Sequence, residues 1–400
     1  MNYWGRMSHP KLPKSAVDFR RGLPEGLEMF DVIEDPRSGN ATRHPFGSIL
    51  FIALCALLCG MNTCEDFVRF AKAREQWLCK WIDLPNGIPC ANTFLRVFAA
   101  IDPVSFTECL AAFVSRICPD LAGKLVAIDG KALRGSRKAD ESTVQILSAW
   151  ACHNGLTLSQ RAVDAKSNEI TGVPKLLRHL NLKGAIVSID AMGTQLKIAI
   201  AIIQAGADYL LALKGNQGSL HDDVRAFFAD PENIEYARQK GGTVDTVEHH
   251  DKGHGRIEKR TCTVTDWLDW MPAKVRRSWL GLRSIVRVES HTTLPGGKVR
   301  EDTRYYISSL APDATQHLEL SRSHWAIENS CHWVLDVVFR EDDSRARCGD
   351  AAQNLSTLRR IALNLLKTET VKPKEPIRGK RIYAALDPAY LEAIIGLRQM

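Results

Sequence analysis

Two aspartates each stand directly after a short apolar run, where a strand is expected to end. Asp129 follows LVAI in LVAIDGKALRGS, Asp190 follows AIVSI in AIVSIDAMGTQ, and a third acid, Glu328, lies in the helix-like run SHWAIENSCHWVLDVVF. Carboxylate oxygens are the ligands that hard divalent cations such as Mg²⁺ prefer. Two such cations, about 4 Å apart, can stabilise the attacking and leaving oxygens of a phosphoryl transfer. The three acids are therefore candidate ligands of a two-metal site.

Each acid also has a simpler interpretation. Aspartates are common in turns after strands, and a helix glutamate usually faces solvent. However, both aspartates can reach the same edge of one sheet, where ligand sites often lie. Glu328 shares a predicted helix face with Trp325 and His332, so we expect it to be shielded from solvent. Asp336, eight residues after Glu328, is a rival for the third position.

The elements that must position these acids begin after Pro119. Three strands are predicted first (LVAIDGKAL, VQILSAWA and LTLSQRAV), and His153-Asn154-Gly155 is a hairpin signal between the last two. A helix from Pro174 to about His179, the strand AIVSID, a helix from Thr194 to Gln204 and the strand YLLALK follow. This order predicts an α/β fold with a mixed sheet and flanking helices on both faces.

The chain before Pro119 reads as a flexible arm at residues 1–25 and an N-terminal helical domain at residues 26–119. Four helices are predicted there: FGSILFIALCALLCGM, CEDFVRFAKAREQWLCKWI, residues 91–100 with Asn92 as N-cap, and residues 103–117. DNA binding through Arg37, Arg43 or Arg96 is one interpretation. A dimerisation or scaffolding role is the alternative, because no recognition helix is evident.

The later chain contains a polar, β-rich insertion at residues 221–299. The strand RYYISSL, a long helix from about Leu318 to Phe339 and a helix from Asp350 to Lys367 follow within residues 300–368. Residues 369–400 are predicted as a basic tail, with KPKEPIRGKR as a linker before a short helix at residues 388–398. The basic residues of this tail are expected on a solvated surface.

Composition narrows the class of protein. The 400 residues are 45% hydrophobic and carry a net charge of +7, typical of a soluble globular protein with a mild preference for polyanions. The eleven cysteines contain no CxxC pair. Cys55 and Cys59 lie one helical turn apart in an apolar run, so we expect them to be buried thiols, in a reducing cytoplasm. Neither a signal peptide nor a membrane helix is expected.

The histidine-rich stretch of the insertion is a candidate zinc site that we do not favour. His249, His250, His254 and Asp251 lack the ligand spacing of a zinc site, so a polar loop is preferred.

Several motifs together carry a family resemblance. The set VAIDGKALRGS, SIDAMGTQ, YLLALKGNQ, HGRIEKR and HWAIENSCHWVLDVVFRED resembles the DDE transposases of bacterial insertion sequences, and especially their H-repeat-associated group. DPRSG, PCANTFLRVF and AIDP extend the resemblance into the N-terminal domain. The resemblance implies a ribonuclease-H-like catalytic domain at residues 120–220 and 300–368, interrupted by the β-rich insertion. It also implies Asp129, Asp190 and Glu328 as the catalytic, metal-binding triad.

The function that this resemblance implies is DNA cleavage and strand transfer at element ends, with two Mg²⁺ or Mn²⁺ ions. Its partners would be double-stranded DNA, both the terminal repeats and the target, and we expect a homodimer on DNA, associated with the nucleoid in the bacterial cytoplasm. Two alternatives remain. One is a catalytically silent DNA-binding or regulatory protein derived from a transposase, and the other is a nuclease without strand transfer.

The candidate DNA-binding residues lie beside Glu328 and after two of the predicted strands. The wider class places Tyr, Arg and Lys around the Glu, where this chain has Ser321, His324 and Leu335. The candidates beside Glu328 are Arg322, His324 and Asn329; those after the strands are Lys131, Arg134, Lys214, Asn216 and Gln217. An ordinary polar turn or a solvated strand end is the alternative for the second set.

Overall fold

The computed structural model of the chain describes residues 30, 33–137, 142–163, 169–253 and 256–396. The predicted arm at residues 1–25 and His254 lie outside this part of the chain. The chain divides into two compact units. We call residues up to 116, 134–139 and from 335 onward the helical unit, and residues 117–133 and 140–334 the sheet unit. The functional domain boundaries drawn from the sequence stay a prediction.

The helical unit begins with the four predicted helical regions. Its helices are Phe46–Leu58, Cys64–Ala73, Glu75–Leu78, Ala91–Ala100 and Pro103–Ile117. The first is buried along most of its length, as its continuous apolar sequence predicts. The second begins at a capping box, in which Thr63 and Asp66 each accept a hydrogen bond from the other's backbone N–H. The predicted N-cap at Asn92 is wrong, because the helix already begins at Ala91 and Cys90 occupies the cap position.

The C-terminal residues also belong to the helical unit. Ala351–Thr368 is a long, mostly buried helix, close to the prediction. The second half of the stretch predicted as a basic linker instead belongs to the helix Ile377–Leu386, which is followed by Pro388–Ile395. Lys380 and Arg381 are buried in this helix rather than solvated. The linker prediction failed because basic residues were read as surface residues, whereas these two find buried partners.

The sheet unit is built on one nine-stranded sheet within the described residues. Its order is β3-β2-β1-β4-β5-β9-β8-β7-β6. The strands are β1 Leu125–Ala132, β2 Gln145–Ala151, β3 Leu156–Val163, β4 Ile186–Ile189, β5 Asp208–Leu213, β6 Val244–Gly253, β7 Arg256–Thr265, β8 Ser284–Thr293 and β9 Val299–Ser308.

The first five strands confirm the predicted mixed α/β fold. β1 pairs antiparallel with β2 and parallel with β4, and β4 pairs parallel with β5. The helices Glu169–Leu177 and Leu196–Gln204 make the two crossings. Pro174 lies inside the first of these helices, so its predicted place in the first turn is wrong. β1 and β4 are buried apolar strands, as parallel strands covered on both faces must be.

The predicted insertion is β-rich but does not form a separate sheet. The helices Ser219–Ala229 and Pro231–Gln239 come first, and β6 to β9 then form an antiparallel meander that also includes the short helix Ala273–Ser278. β9 pairs with β5, so the meander continues the sheet that carries the two aspartates. Any DNA contact on the meander would therefore lie on the same sheet as those acids.

The long helix predicted from Leu318 to Phe339 is interrupted. An α-helix covers Ala314–His324, a π-helical turn covers Glu328–His332, and a short α-helix covers Trp333–Val337. In the π-turn the N–H of Trp333 donates to the carbonyl of Glu328, five residues earlier. Apolar periodicity could not reveal the break, because one wider turn shifts the helix face without removing its apolar residues.

The two cysteines predicted to be buried are buried. Cys55 and Cys59 are free and buried, and burial raises the pKa of the Cys59 thiol to about 12. Among the described helices, none alone has the length and apolar content to cross a bilayer; Ala91–Ala100 and Pro103–Ile117 meet those criteria only as a pair bent by 89°.

Candidate metal centre and nucleic-acid interface

Asp129 and Asp190 lie at corresponding places on neighbouring strands. In the parallel pair β1/β4, Ile128 is in register with Ile189, and each aspartate is the next residue. The two backbones are therefore about 5 Å apart at this point. Both side chains are partly exposed. The sheet thus places the two acids side by side at one edge, as the sequence predicted.

Hydrogen bonds fix the loop that carries Asp190. Its Oδ1 accepts from the N–H groups of Met192 and Gly193 at 3.1 and 3.2 Å. Gly193 is needed here, because a Cβ would lie 2.2 Å from Cγ2 of Ile189. The loop therefore holds one oxygen of Asp190 against the backbone, which orients the carboxylate.

The amides predicted to contact DNA hold this same loop. Asn216 Nδ2 donates to the carbonyl of Ala191 at 2.8 Å, and Gln217 Nε2 donates to it at 2.6 Å. Gln217 Oε1 also accepts from the N–H of Lys214 at 2.9 Å. These bonds favour a positioning role for Asn216 and Gln217. Lys214 itself is exposed and keeps its charged end available for phosphate.

Glu328 and His332 approach Asp129 from the π-turn. One ligand atom from each of the three lies within 4.8 Å of the others. His332 Nδ1 is 3.5 Å from Asp129 Oδ2 and 3.6 Å from Glu328 Oε2. We call these three residues the acid–histidine cluster. Among the described residues, Asp190 is not part of it, although Asp190 lies beside Asp129 on the sheet.

The donor set of the cluster fits a divalent cation. Two carboxylates and an imidazole nitrogen are usual ligands for Mn²⁺ and related ions, and carboxylates suit Mg²⁺. The side chain of Glu328 is 54% exposed, so the expectation that it is shielded from solvent is wrong. The described cluster includes Glu328 and not its rival Asp336. Because Glu328 is exposed, both an ion and a substrate could reach the cluster from solvent.

His332 was not among the predicted site residues. The sequence did contain a signal, because His332 follows Glu328 by four residues and the two were expected near one helix face. The π-turn strengthens this relation, since a turn closed by an i→i+5 bond brings residues i and i+4 nearly above one another.

Two of the predicted DNA-contact residues, Lys131 on β1 and His324, are largely shielded from solvent, whereas Arg134 is exposed. Lys131 is 8% exposed, which leaves little of it for DNA. His324 Nδ1 lies 2.8 Å from Ser188 Oγ, and burial lowers the pKa of His324 to about 4, while the nearby Asp190 opposes this shift. A neutral histidine offers no charge to phosphate, so this geometry favours a packing role. Arg134 is 83% exposed and lies in the helical unit, 3.5 Å from Asp342.

A concave surface beside the π-turn is lined by many charged residues. It consists of two adjoining concavities of about 440 and 530 Å³. We call this surface the insertion groove. Its charged lining residues are Lys252, Arg256, Arg260, Arg300, Arg304, Arg322, Asp251, Glu258 and Asp302. Basic residues therefore outnumber acidic ones by six to three.

Acids of the groove pair with its arginines. Arg322 Nη2 lies 2.5 Å from Asp251, and Arg260 Nη2 lies 2.6 Å from Glu258. Arg304 Nε lies 2.8 Å from Asp302, and its guanidinium stacks over Trp325 at 4.5 Å. Trp325 is 44% exposed. The surface is therefore basic overall, and these three arginines are paired with carboxylates of the same surface.

One chain segment contributes residues to both the insertion groove and the acid–histidine cluster. Trp325, Ala326 and Asn329 line the groove, and Asn329 directly follows Glu328. Arg322 and Asn329 are thus at the surface, as their predicted DNA contacts require. Arg260 and Arg304 also line the groove and were not among the predicted DNA-binding residues. Alternation places Arg256, Glu258 and Arg260 on one face of β7, and Arg300, Asp302 and Arg304 on one face of β9.

The preferred polar-loop interpretation of the histidine-rich segment is wrong for its described part. His249, His250 and Asp251 lie on β6, paired with β7. His250 contacts Glu248 at 2.7 Å, and Arg322 lies 3.4 Å from His249. Among the described residues, these histidines form no metal-ligand cluster.

Comparison with known proteins agrees with the motifs. Residues 121–365 match the family described as "Transposase DDE domain", and residues 27–114 match "DDE_Tnp_1-associated". "Putative transposase YncI" of Escherichia coli O157:H7 is 37% identical over 373 residues, 92% of this chain and 94% of that protein. "H repeat-associated putative transposase YhhI" of Escherichia coli (strain K12) is 35% identical over 384 residues, 93% of this chain and 98% of that protein.

A solved structure is similar at low identity. It is described as "Cryo-EM structure of piggyBac transposase synaptic complex with hairpin DNA (SNHP)", and it aligns at a TM-score of 0.36 and 10% identity, covering 94% of this chain and 78% of that one. The family assignment rests on the sequence relatives alone. Because the transposase-domain match spans more than half of the chain and these relatives align along nearly all of it, this chain belongs to the DDE transposase family.

Proposed function

We propose that the chain is an insertion-sequence transposase that cleaves DNA at element ends and transfers the cleaved strands to target DNA. Its family supports this activity, and the acid–histidine cluster beside Asp190 is the observation that carries the proposal. The acids come from strands and a helical turn far apart in sequence. Carboxylates gathered at one sheet edge are costly to hold together without a cation, and this favours a metal site over a structural role.

We infer that the first five strands are a ribonuclease-H-like core. The antiparallel strands β3, β2 and β1 lie beside the parallel strands β4 and β5, with a helix in each crossing. Asp129 and Asp190 lie on its central pair of strands. On this interpretation the meander β6–β9 is the family's β-rich insertion, which extends the core sheet.

Some residues would hold the ions, and others would position the carboxylates that hold them. Asp129, Asp190 and Glu328 would hold two Mg²⁺ or Mn²⁺ ions, which when bound supply Lewis acidity for phosphoryl transfer. Asn216 and Gln217 keep the Asp190 loop in place. The exposed Glu328 faces the side from which DNA must arrive. Most of the protein's contribution is then positioning, as in other phosphoryl transfers.

We propose that the insertion groove holds the DNA backbone next to the cleaved bond. Arg260, Arg304 and Arg322 would exchange their carboxylate partners for phosphates, and Asn329 would contact the strand nearest Glu328. Such contacts fix the register of the duplex but carry no base information. Two copies of the chain on DNA, one at each element end, would complete the assembly in the nucleoid.

Cleavage of the DNA that flanks its own gene tests the proposal. With Mn²⁺ the unchanged chain should nick the element ends, and Asp129→Asn, Asp190→Asn and Glu328→Gln should each abolish nicking. All three variants should still shift DNA in a gel, because affinity comes chiefly from basic contacts to phosphate. Asp336→Asn is the matched control and should retain cleavage.

The other outcomes identify the alternatives. If the unchanged chain binds DNA without any metal-dependent nicking, it is a silent regulatory relative. If it nicks DNA but never yields joined strand-transfer products, it is a nuclease. Retained nicking in Asp190→Asn would remove that residue from the site, and loss of nicking in Asp336→Asn would show that the third acid is misassigned.

A further inference from the structure

The imidazole of His332 lies between the two carboxylates of the acid–histidine cluster. Its Nδ1 is 3.5 Å from Asp129 Oδ2 and 3.6 Å from Glu328 Oε2. Both are ion-pair distances, longer than the roughly 3.2 Å of a well-formed hydrogen bond. One nitrogen thus lies at nearly equal distance from two carboxylate oxygens.

The two separations from His332 are close to those of atoms that share a cation. Donors at about 2.1 Å from an octahedral ion lie about 3 Å apart when adjacent and about 4 Å apart when opposite. The separations from His332 fall between these values, and all three donor atoms lie within 4.8 Å of one another. A small adjustment of the exposed Glu328 would be enough to close the set around one ion.

The side chain of His332 is held in place more firmly than that of Glu328. It is only 6% exposed, against 20% for Asp129 and 54% for Glu328. The neighbouring Cys331 is fully buried, with its Sγ 3.8 Å from Thr157 Oγ1 on β3. The π-turn thus packs onto the sheet and presents His332 beside β1. Preorganised ligands of this kind lose little conformational freedom when an ion binds.

We propose that His332 is itself a metal ligand through Nδ1 and completes a mixed oxygen and nitrogen site with Asp129 and Glu328. This inference rests on the proposed metal site but adds a ligand outside the acidic triad. Imidazole favours transition-metal ions, whereas Mg²⁺ prefers oxygen ligands. The site therefore selects Mn²⁺ over Mg²⁺ more strongly than three carboxylates would.

Electron spin-echo spectroscopy of Mn²⁺ bound to the full-length chain tests the proposal directly. A coordinated imidazole gives ¹⁴N modulation, which should be present in the unchanged chain and absent in His332→Ala and His332→Asn. Mn²⁺ affinity should fall about tenfold or more in His332→Ala, since losing even an outer-shell partner costs 10–100-fold. His332→Asn places an amide oxygen near the position of Nδ1, so it should recover much of the Mg²⁺ affinity but not the nitrogen signal.

Controls separate ligation from folding and from surface binding. His250→Gln removes an exposed histidine of β6 and should leave both the modulation and the affinity unchanged. Thermal unfolding of each variant without metal shows whether the fold survives, and a folded His332→Asn variant is sufficient for the test.

Two results would overturn the inference in different ways. Asp129-dependent Mn²⁺ binding without ¹⁴N modulation, or with modulation that survives in His332→Asn, would exclude His332 as a ligand and leave the proposed function intact. Failure of Mn²⁺ to bind in any manner that Asp129→Asn weakens would overturn both.

Discussion

The basic residues of the two compact units differ in how far they are buried. In the helical unit Arg360, Lys380 and Arg381 are buried with fixed partners. Arg360 Nη1 lies 3.2 Å from Glu341 and Lys380 Nζ lies 2.7 Å from Glu369, with at most 4% of any of these side chains exposed. In the insertion groove of the sheet unit, Arg304 and Arg322 are 40% and 39% exposed and their carboxylate partners are similarly open.

This difference shows that a basic cluster in sequence does not by itself indicate a DNA surface. A buried pair has been desolvated, so removing one partner leaves an uncompensated charge and costs stability. An exposed pair is hydrated on both sides and contributes little to stability, so a phosphate can replace its carboxylate at small cost. Substitutions in the two regions should therefore affect different measurements.

The largest effect is expected where a buried pair is broken. Glu341→Gln leaves the Arg360 guanidinium buried without its carboxylate, and we expect the free energy of unfolding in urea to fall by about 3–5 kcal/mol. Asp302→Asn, which breaks the exposed pair with Arg304, is the matched control and should change it by about 1 kcal/mol or less. Similar losses in the two variants would contradict the proposed difference between the regions.

His324 is a third kind of basic residue, partly buried and neutral. Its pKa is about 4 when folded and 6.5 when unfolded, so the unfolded chain takes up the proton first as the pH falls. The stability contributed by neutral His324 is therefore complete above pH 6.5 and is lost as the pH falls towards 4, by about 3 kcal/mol in total. Unfolding measured from pH 7 to 4 should show a shallower loss in His324→Asn, and an identical slope would refute the assignment.

The insertion groove should affect DNA affinity rather than stability. Arg304→Gln and Arg322→Gln should each reduce the slope of log affinity against log salt by about one unit, because each removes one phosphate contact. The pair of substitutions together should remove about two. Arg276→Gln, which breaks an exposed pair with Asp269 outside the groove, is the control and should leave the slope unchanged. Equal slopes in all variants would place the DNA elsewhere.

A single turn after β5 contains both a lysine expected to contact phosphate and an amide that holds the Asp190 loop. Lys214→Ala should lower the salt slope by about one unit, and it should weaken cognate and non-specific duplexes alike. Gln217→Ala should leave the slope unchanged but slow cleavage, because it releases the Asp190 loop. A loss confined to the cognate terminal sequence in Lys214→Ala would mean that this lysine reads bases or local shape.

Much of the fold followed from local patterns in the sequence. The apolar runs before Asp129 and Asp190 predicted buried strands, and His153-Asn154-Gly155 predicted the hairpin between β2 and β3. The strand and helix order then predicted the mixed sheet. These inferences succeeded because strand burial and tight turns depend on residues that are close in sequence.

The same patterns failed where distant residues decide the outcome. The π-turn at Glu328–His332 leaves apolar spacing nearly unchanged, so the predicted helix continued through it. Lys380 and Arg381 looked solvated because their partners, Glu369 and the Leu57 carbonyl, come from other elements. Likewise, the bonds of Asn216 and Gln217 to the Ala191 carbonyl join residues that are about 25 positions apart, so the sequence did not reveal them.

The sequence by itself determined the acids and the family, since motif residues and their order can be read without coordinates. Only the tertiary structure decided which side chains meet. It placed His332 between Asp129 and Glu328. It also buried Arg360, Lys380 and Arg381, and it gathered other basic side chains along the insertion groove. The physical reason is that a carboxylate's neighbours, and the water it keeps or loses, depend on strand register and helix packing between residues far apart in the chain.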